Sequence, residues 1–152
     1  MLRFLADSNV GRLARWLRAL GYDADYEPRL DDRRLAARAL AEERVLLTRD
    51  ADLMQRRIIA RGRLRAVLLR SDAVADQLRQ VVDELHLGAD RALSRCLECN
   101  VPLEPRPRAA VLERLPPHVR ATQSRFSECP RCGRVYWPGT HWQRMHERLA
   151  AL

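Results

Sequence analysis

The chain contains no lysine; all 28 of its basic residues are arginine. Every side-chain cation other than histidine is therefore a planar fork, permanently charged and suited to bidentate contacts with phosphate. No apolar run approaches the length of a transmembrane helix, which argues against a membrane partner. Met1–Asp7 lacks the apolar stretch of a signal peptide, so a cytoplasmic location is the expectation. There is no internal repeat and no low-complexity tract, which excludes a solenoid or an array. Aspartate is absent beyond Asp90, and cysteine occurs only four times. Apolar residues nevertheless make up 47% of the 152 positions, enough to build a real core and to exclude wholesale disorder.

The net charge is +8, which points to an anionic partner, nucleic acid first, with a basic but inert surface as the bland alternative. The charge is unevenly spread. Residues 1–90 hold 17 Arg against 15 acids, whereas residues 91–152 hold 11 Arg against 5 acids. Four thiolates around one zinc ion would add about −2 to the second segment and leave it positive.

The hydrophobic pattern alternates between short apolar runs and helical periods. Leu2–Ala6 reads as a buried strand ending at Asp7. Leu13, Trp16, Leu17 and Leu20 form one helical face, which Gly21 stops. Tyr22–Glu27 reads as a second strand closed by Pro28. Asp31 or Asp32 caps a helix through Leu35, Ala36, Ala39 and Leu40. Val45–Thr48 is a third strand, followed by Arg49-Asp50-Ala51-Asp52 and a helical stretch to Arg61, stopped by Gly62. Arg65–Leu69 is a fourth strand. Ser71 or Asp72 caps a helix whose inner face is Val74, Leu78, Val81, Val82 and Leu85, with Gly88 at its end. Such alternation predicts an α/β fold with a mostly parallel sheet. It stops near Asp90. Pro102, Pro105, Pro107, Pro116 and Pro117 then argue against long regular elements. The expected division is a first domain over 1–90 and a second over 94–152.

All four cysteines lie in two pairs, Cys96-Leu97-Glu98-Cys99 and Cys129-Pro130-Arg131-Cys132, separated by 29 residues. Two such knuckles complete a four-sulfur tetrahedral site for Zn2+, with no open position for catalysis, so the site reads as structural. In a reducing cytosol paired cysteines favour metal over disulfides; two redox motifs are the alternative. Gly133 follows the second pair, where a positive φ is often required. His141 and His146 stand nearby and are assigned to substrate contact or packing rather than to the metal.

Asp7 and Asp50 each close an apolar strand. In a parallel sheet the strand C-termini share one edge, where ligands bind, so two carboxylates there can hold Mg2+ or Mn2+. Asp52 is two residues beyond Asp50, and Asp31 and Asp32 sit at a helix start that can reach the same edge. Helix capping is a sufficient alternative for Asp32, and Asp52 can cap the helix that follows it. Asp7 gains nothing from burial unless it is paired.

These residues carry a resemblance. Asp7, Gly11–Arg18, Leu20–Asp23, Leu46-Leu47-Thr48-Arg49-Asp50, Ser94–Cys99 and Cys129–Trp142 resemble the Mut7-C RNase family. The block Tyr136-Trp137-Pro138-Gly139-Thr140-His141-Trp142 beside a cysteine pair is the most specific part. The resemblance implies a PIN-like three-layer α/β/α sandwich with a C-terminal zinc ribbon, and a metal-dependent ribonuclease, an endonuclease, acting on RNA. It places the catalytic acids at Asp7, Asp32, Asp50 and Asp52, with Asp31 as an alternative to Asp32. Catalytic Mg2+ or Mn2+ falls to Asp7 and Asp50, and structural Zn2+ to the cysteines. Many PIN nucleases carry Glu where this chain has Asp32, and the shorter side chain suits a water-bridged contact.

The RNA contacts expected on this basis are Arg12, Arg15 and Arg49 in the first domain. In the ribbon they are Arg131, Arg134, Tyr136, Trp137, His141 and Trp142, since exposed aromatics stack on unpaired bases. Packing within the ribbon is the competing role for Trp137 and Trp142. Two other readings stand beside the nuclease: a non-catalytic RNA-binding module, and a toxin whose protein partner blocks the site.

Overall fold

The computed structural model describes residues 1–151; Leu152, the last residue of the expected 94–152 segment, lies outside them. Four short strands, β1 (Arg3–Ala6), β2 (Asp23–Tyr26), β3 (Val45–Thr48) and β4 (Ala66–Leu68), form one sheet in the order β2-β1-β3-β4, with every neighbouring pair parallel. Side chains alternate across the pleat, so the central strands must be apolar on both faces. Phe4, Ala6, Val45, Leu47 and Val67 point to one side, where α1 (Gly11–Ala19) and α4 (Val74–Leu85) supply Leu13, Leu17, Leu78 and Val81. Leu5 and Leu46 point to the other, against Leu35, Ala36 and Ala39 of α2 (Asp32–Ala41) and against Leu53 and Leu64. Three layers result, helices on both faces of a parallel sheet.

Local chemistry explains most of the boundaries. Gly21 ends α1 with φ +94°, and a Cβ there would run into the Arg91 carbonyl. The Asp31 side chain accepts from the Arg34 amide at 2.9 Å, so Asp31 is the cap of α2 and Asp32 its first residue. Three expectations are corrected. The stretch after Asp52 is a 3-10 turn (Leu53–Gln55) and a four-residue helix, α3 (Arg57–Ala60), broken by the extended backbone of Arg56. Neither Ser71 nor Asp72 caps α4, which begins after Ala73; the Ser71 hydroxyl instead accepts from the Ala73 amide. His86, not Gly88, ends α4 in the left-handed region, because the next residue, Leu87, turns back to pack on the core.

Beyond residue 100 the elements are short: β5 (Glu104–Arg106), α5 (Arg108–Val111), α6 (Pro117–Thr122), β6 (Phe126–Glu128) and β7 (Val135–Tyr136). The strands form an antiparallel sheet in the order β5-β6-β7, packed on a small cluster of Val111, Leu115, Val119 and Phe126. A final helix, α7 (Thr140–Ala150), sends Met145 and Leu149 into the same core cluster as α1 and α4, and Leu97 of the first cysteine knuckle joins them. The hydrophobic core therefore runs across residues 90–94. No helix among the described residues is long and apolar enough to cross a membrane.

Candidate functional site

The two cysteine pairs fold into near-identical knuckles. In the first, the Cys99 amide donates to Cys96 Sγ at 3.4 Å, the Asn100 amide to the Cys96 carbonyl at 3.0 Å, and the Cys96 amide to the Val101 carbonyl at 2.9 Å. In the second, the Cys132 amide donates to Cys129 Sγ at 3.4 Å, the Gly133 amide to the Cys129 carbonyl at 2.9 Å, and the Cys129 amide to the Arg134 carbonyl at 2.9 Å. Each turn needs a left-handed residue after its second cysteine: Gly133 at φ +76° and Asn100 at φ +60°. Asparagine is among the few non-glycine residues that accept this conformation readily.

All four sulfurs lie within 4.8 Å of one another, and the Cys96–Cys132 pair is at 3.9 Å. A tetrahedron with Zn–S bonds of about 2.3 Å has S–S edges of about 3.8 Å, so the set fits a zinc ion. Burial opposes ionisation of Cys96. The Tyr136 hydroxyl, 3.3 Å from its sulfur, and nearby amides outweigh that and bring the thiol down to about 7. Neither His141 nor His146 belongs to the cluster.

The first knuckle is fastened to the α/β layers. Asn100 Oδ1 accepts from the Ala24 amide at 3.0 Å, and its Nδ2 donates to Asp23 at 2.7 Å. Arg18 donates to the Leu97 carbonyl and to the Ala24 carbonyl, both at 2.8 Å, and Arg15 pairs with Glu98. β2 is a sheet edge, so the free amide and carbonyl of Ala24 would otherwise invite strand pairing. Asn100 and Arg18 take both. Sequence reasoning passed over Asn100; its signal is that Cys-x-x-Cys-Asn repeats the pattern Cys-x-x-Cys-Gly.

The second cluster lies at the C-terminal edge of the parallel sheet. Asp7 is buried, with Oδ1 accepting from the Ser8 amide at 2.7 Å and Oδ2 from the Thr48 hydroxyl at 2.7 Å. The same Thr48 oxygen accepts from the Asp50 amide at 3.0 Å, so Thr48 links the ends of β1 and β3. Asp50 Oδ1 accepts from the Asp52 amide at 2.9 Å; Asp52 itself is exposed and makes no side-chain cap. Burial raises the Asp32 carboxyl above the ordinary range, and the charges of Asp50 and Asp7 raise it further, with Arg56 opposing. Among the described residues, the four cysteines are the only group of three or more potential ligands drawn so close together. Thr48 was not singled out from sequence, although a threonine between two strand-end acids is the visible clue.

The remaining predicted contacts divide. Arg12, Arg49, Arg131 and Arg134 are exposed, with no side-chain hydrogen bond or ion pair among the described residues. Arg15 is engaged by Glu98. Trp137 packs against the Phe126 cluster, and Trp142 stacks on His146 with ring centroids 5.0 Å apart. Tyr136, Trp137, His141 and Trp142 line a cavity of about 240 Å³ between the ribbon and α7. Arg148 lies over the Trp16 ring at 4.9 Å, tying α7 to α1.

Comparison with curated proteins and with solved structures gives no match. A match to the family described as "Mut7-C RNAse domain" spans residues 2–149, from the first strand to the last helix and across both the cysteine and the acidic clusters. The chain belongs to the Mut7-C RNase domain family, a ribonuclease-type domain whose substrate is RNA.

Proposed function

We propose that this protein is an endonuclease that hydrolyses RNA with a divalent cation, Mg2+ or Mn2+, held at Asp7 and Asp50, and that zinc at the four cysteines is structural. The observation that carries the reading is the Thr48 bridge between Asp7 and Asp50, with Asp32 near enough to be raised by both charges. When bound, the cation supplies charge neutralisation at the phosphodiester and activation of water. Ser8 and Thr48 fix the Asp7 carboxylate in one orientation. Asp32, freed from capping by Asp31, and the exposed Asp52 hold and orient water. Arg12 and Arg49 grip phosphate, with Arg15 weakened by Glu98. Arg131, Arg134, Trp137 and His141 of the 94–152 segment add affinity, while the chemistry belongs to 1–90. An open sheet edge suits an internal cut in a strand laid across it. Four unpaired thiols suit a cytoplasmic location.

The test is single-turnover cleavage and binding of a mixed RNA pool with and without Mn2+, across a salt series. Asp7→Asn is expected to lower cleavage by at least about 100-fold, beyond the usual effect of an outer-shell partner, with binding kept. The double variant Arg131→Ala, Arg134→Ala is expected to weaken binding and flatten the slope of log affinity against log salt by roughly 0.7 per lost contact, with cleavage at saturating RNA unchanged. Asp7→Asn cutting like the parent would overturn the catalytic assignment. Unaltered binding by the arginine variant would make the ribbon a buttress alone.

A further inference from the structure

We propose that Tyr26 is a fixed stacking platform for an unpaired base of single-stranded RNA, next to the acidic edge. This rests on the ribonuclease reading above and adds a substrate-positioning residue to it. Tyr26 closes β2 in register with Ala6, the residue before Asp7, and the Glu27 amide donates to the Ala6 carbonyl at 3.0 Å. Tyr26 thus ends the strand next to that of Asp7, at the same C-terminal sheet edge, with its ring on the α1 face. Among the described residues only Met1 and Tyr26 are large apolar side chains left exposed, Tyr26 at 37%.

The ring is held rather than free. Its hydroxyl donates to the Ser8 carbonyl at 3.1 Å. The ring lies against Gly11, the first residue of α1, where a Cβ would come within 2.8 Å of the ring carbons. A pre-positioned aromatic face loses little freedom when a base stacks on it. Packing on Gly11 and the bond to Ser8 fix the ring, and the residue still keeps 37% of its surface open for a partner to cover.

The surroundings suit a nucleotide. Tyr26 lines an open cleft of about 400 Å³ together with Ser8, Asn9, Arg12, Asp72 and Gln77. Arg12 has no hydrogen-bond or ion-pair partner among the described residues and offers a phosphate its guanidinium at the positive end of α1. Asp72 also has no partner among the described residues. Its carboxylate repels phosphate and accepts from base amino groups, so the backbone lies toward Arg12 and the base edge toward Asp72. Stacking is tolerant of base identity, which fits a site that reads strandedness more than sequence.

The test uses the full chain in an Asp50→Asn background, so that RNA is bound and not cut. The probe is a labelled single-stranded RNA decamer with one abasic site moved along it. One abasic position is expected to weaken binding about tenfold. Adding Tyr26→Ala should weaken binding of the intact decamer to a similar degree and abolish the penalty at that position. Tyr26→Phe should behave as the parent within about twofold. Tyr26→Leu keeps apolar bulk against Gly11 without a π face and should mimic Tyr26→Ala, which separates stacking from folding. An undiminished abasic penalty in Tyr26→Ala or Tyr26→Leu overturns the proposal. So does intact-decamer binding equal to the parent's, or no binding of the decamer at low salt. A parent that fails to cut RNA with Mn2+ while the abasic pattern and its loss persist would sink the nuclease reading and leave the platform standing.

Discussion

At the cysteine centre four sulfurs stand within 4.8 Å of one another, whereas no comparable group of carboxylates forms at the sheet edge among the described residues. The charge of the free ligand accounts for the difference. Protonated thiols can share a small volume at little cost, and only Cys96 is lowered toward neutral pH. Two carboxylates 4 Å apart repel by roughly 1 kcal/mol in water and about 4 kcal/mol near a protein surface. The raised carboxyl of Asp32, pushed by burial and then by Asp50 and Asp7, is the local sign of that repulsion. The four sulfurs therefore already stand at metal-binding spacing, while the carboxylates at the sheet edge are more widely spread.

The sharpest way to break the comparison is to remove the zinc ligands. Zinc binding supplies on the order of 10–16 kcal/mol of folding energy in zinc-finger peptides. Cys129→Ala, or a strong chelator, is expected to abolish bound zinc and unfold the segment after residue 94. Leu97, Met145 and Leu149 complete the core face shared with α1 and α4, so the remaining domain should also melt several degrees lower. Elemental analysis with hydrogen exchange checks this. A zinc-free protein with the parent's exchange pattern would mean that the knuckles stand without metal.

An intermediate effect is expected where the two regions are joined. Asn100→Gly keeps the positive φ but loses the bonds to Ala24 and Asp23. Leaving the Ala24 amide unsatisfied should cost about 1–3 kcal/mol in urea unfolding. Asn100→Ala should cost more, because alanine resists the left-handed conformation. Equal stability of Asn100→Gly and the parent would show that the knuckle is not latched to the edge strand.

The smallest effect is expected at the acids. Because the folded protein holds the Asp32 carboxyl above its ordinary range, the unfolded chain ionises first as pH rises, and folding is then penalised. Asp32→Asn should therefore stabilise the fold at neutral pH, by roughly 0.2–1 kcal/mol given partial exposure. The gain should vanish below the ordinary Asp range near pH 3.9. Mn2+ should stabilise the parent more than the variant. Thermal melts over pH and Mn2+ test both; a variant less stable than the parent at pH 7 would place Asp32 in a supporting contact instead.

How far the sequence reached depended on whether the determinants were local. The alternation of apolar runs and helical periods was enough for four strands, their flanking helices and a mostly parallel sheet, since each signal sits within a dozen residues. Paired cysteines were enough for the sulfur cluster, because Cys-x-x-Cys builds its own knuckle. The end of α4 was misread at Gly88, because the packing of Leu87 against distant strands sets it. Asp31 and Asp32 are adjacent and chemically alike, and only the hydrogen bond to Arg34 separates the cap from the free acid. Thr48 reaches Asp7 across 41 positions and Asn100 reaches Ala24 across 76. Those pairings depend on parallel register and on how the ribbon docks. By itself, then, the order of residues determined the elements and the metal-binding knuckles, whose interactions lie close along the chain. Which side chains meet at the sheet edge, and which ring is left exposed beside them, was decided only by the tertiary structure, where strands far apart in sequence are brought to one edge.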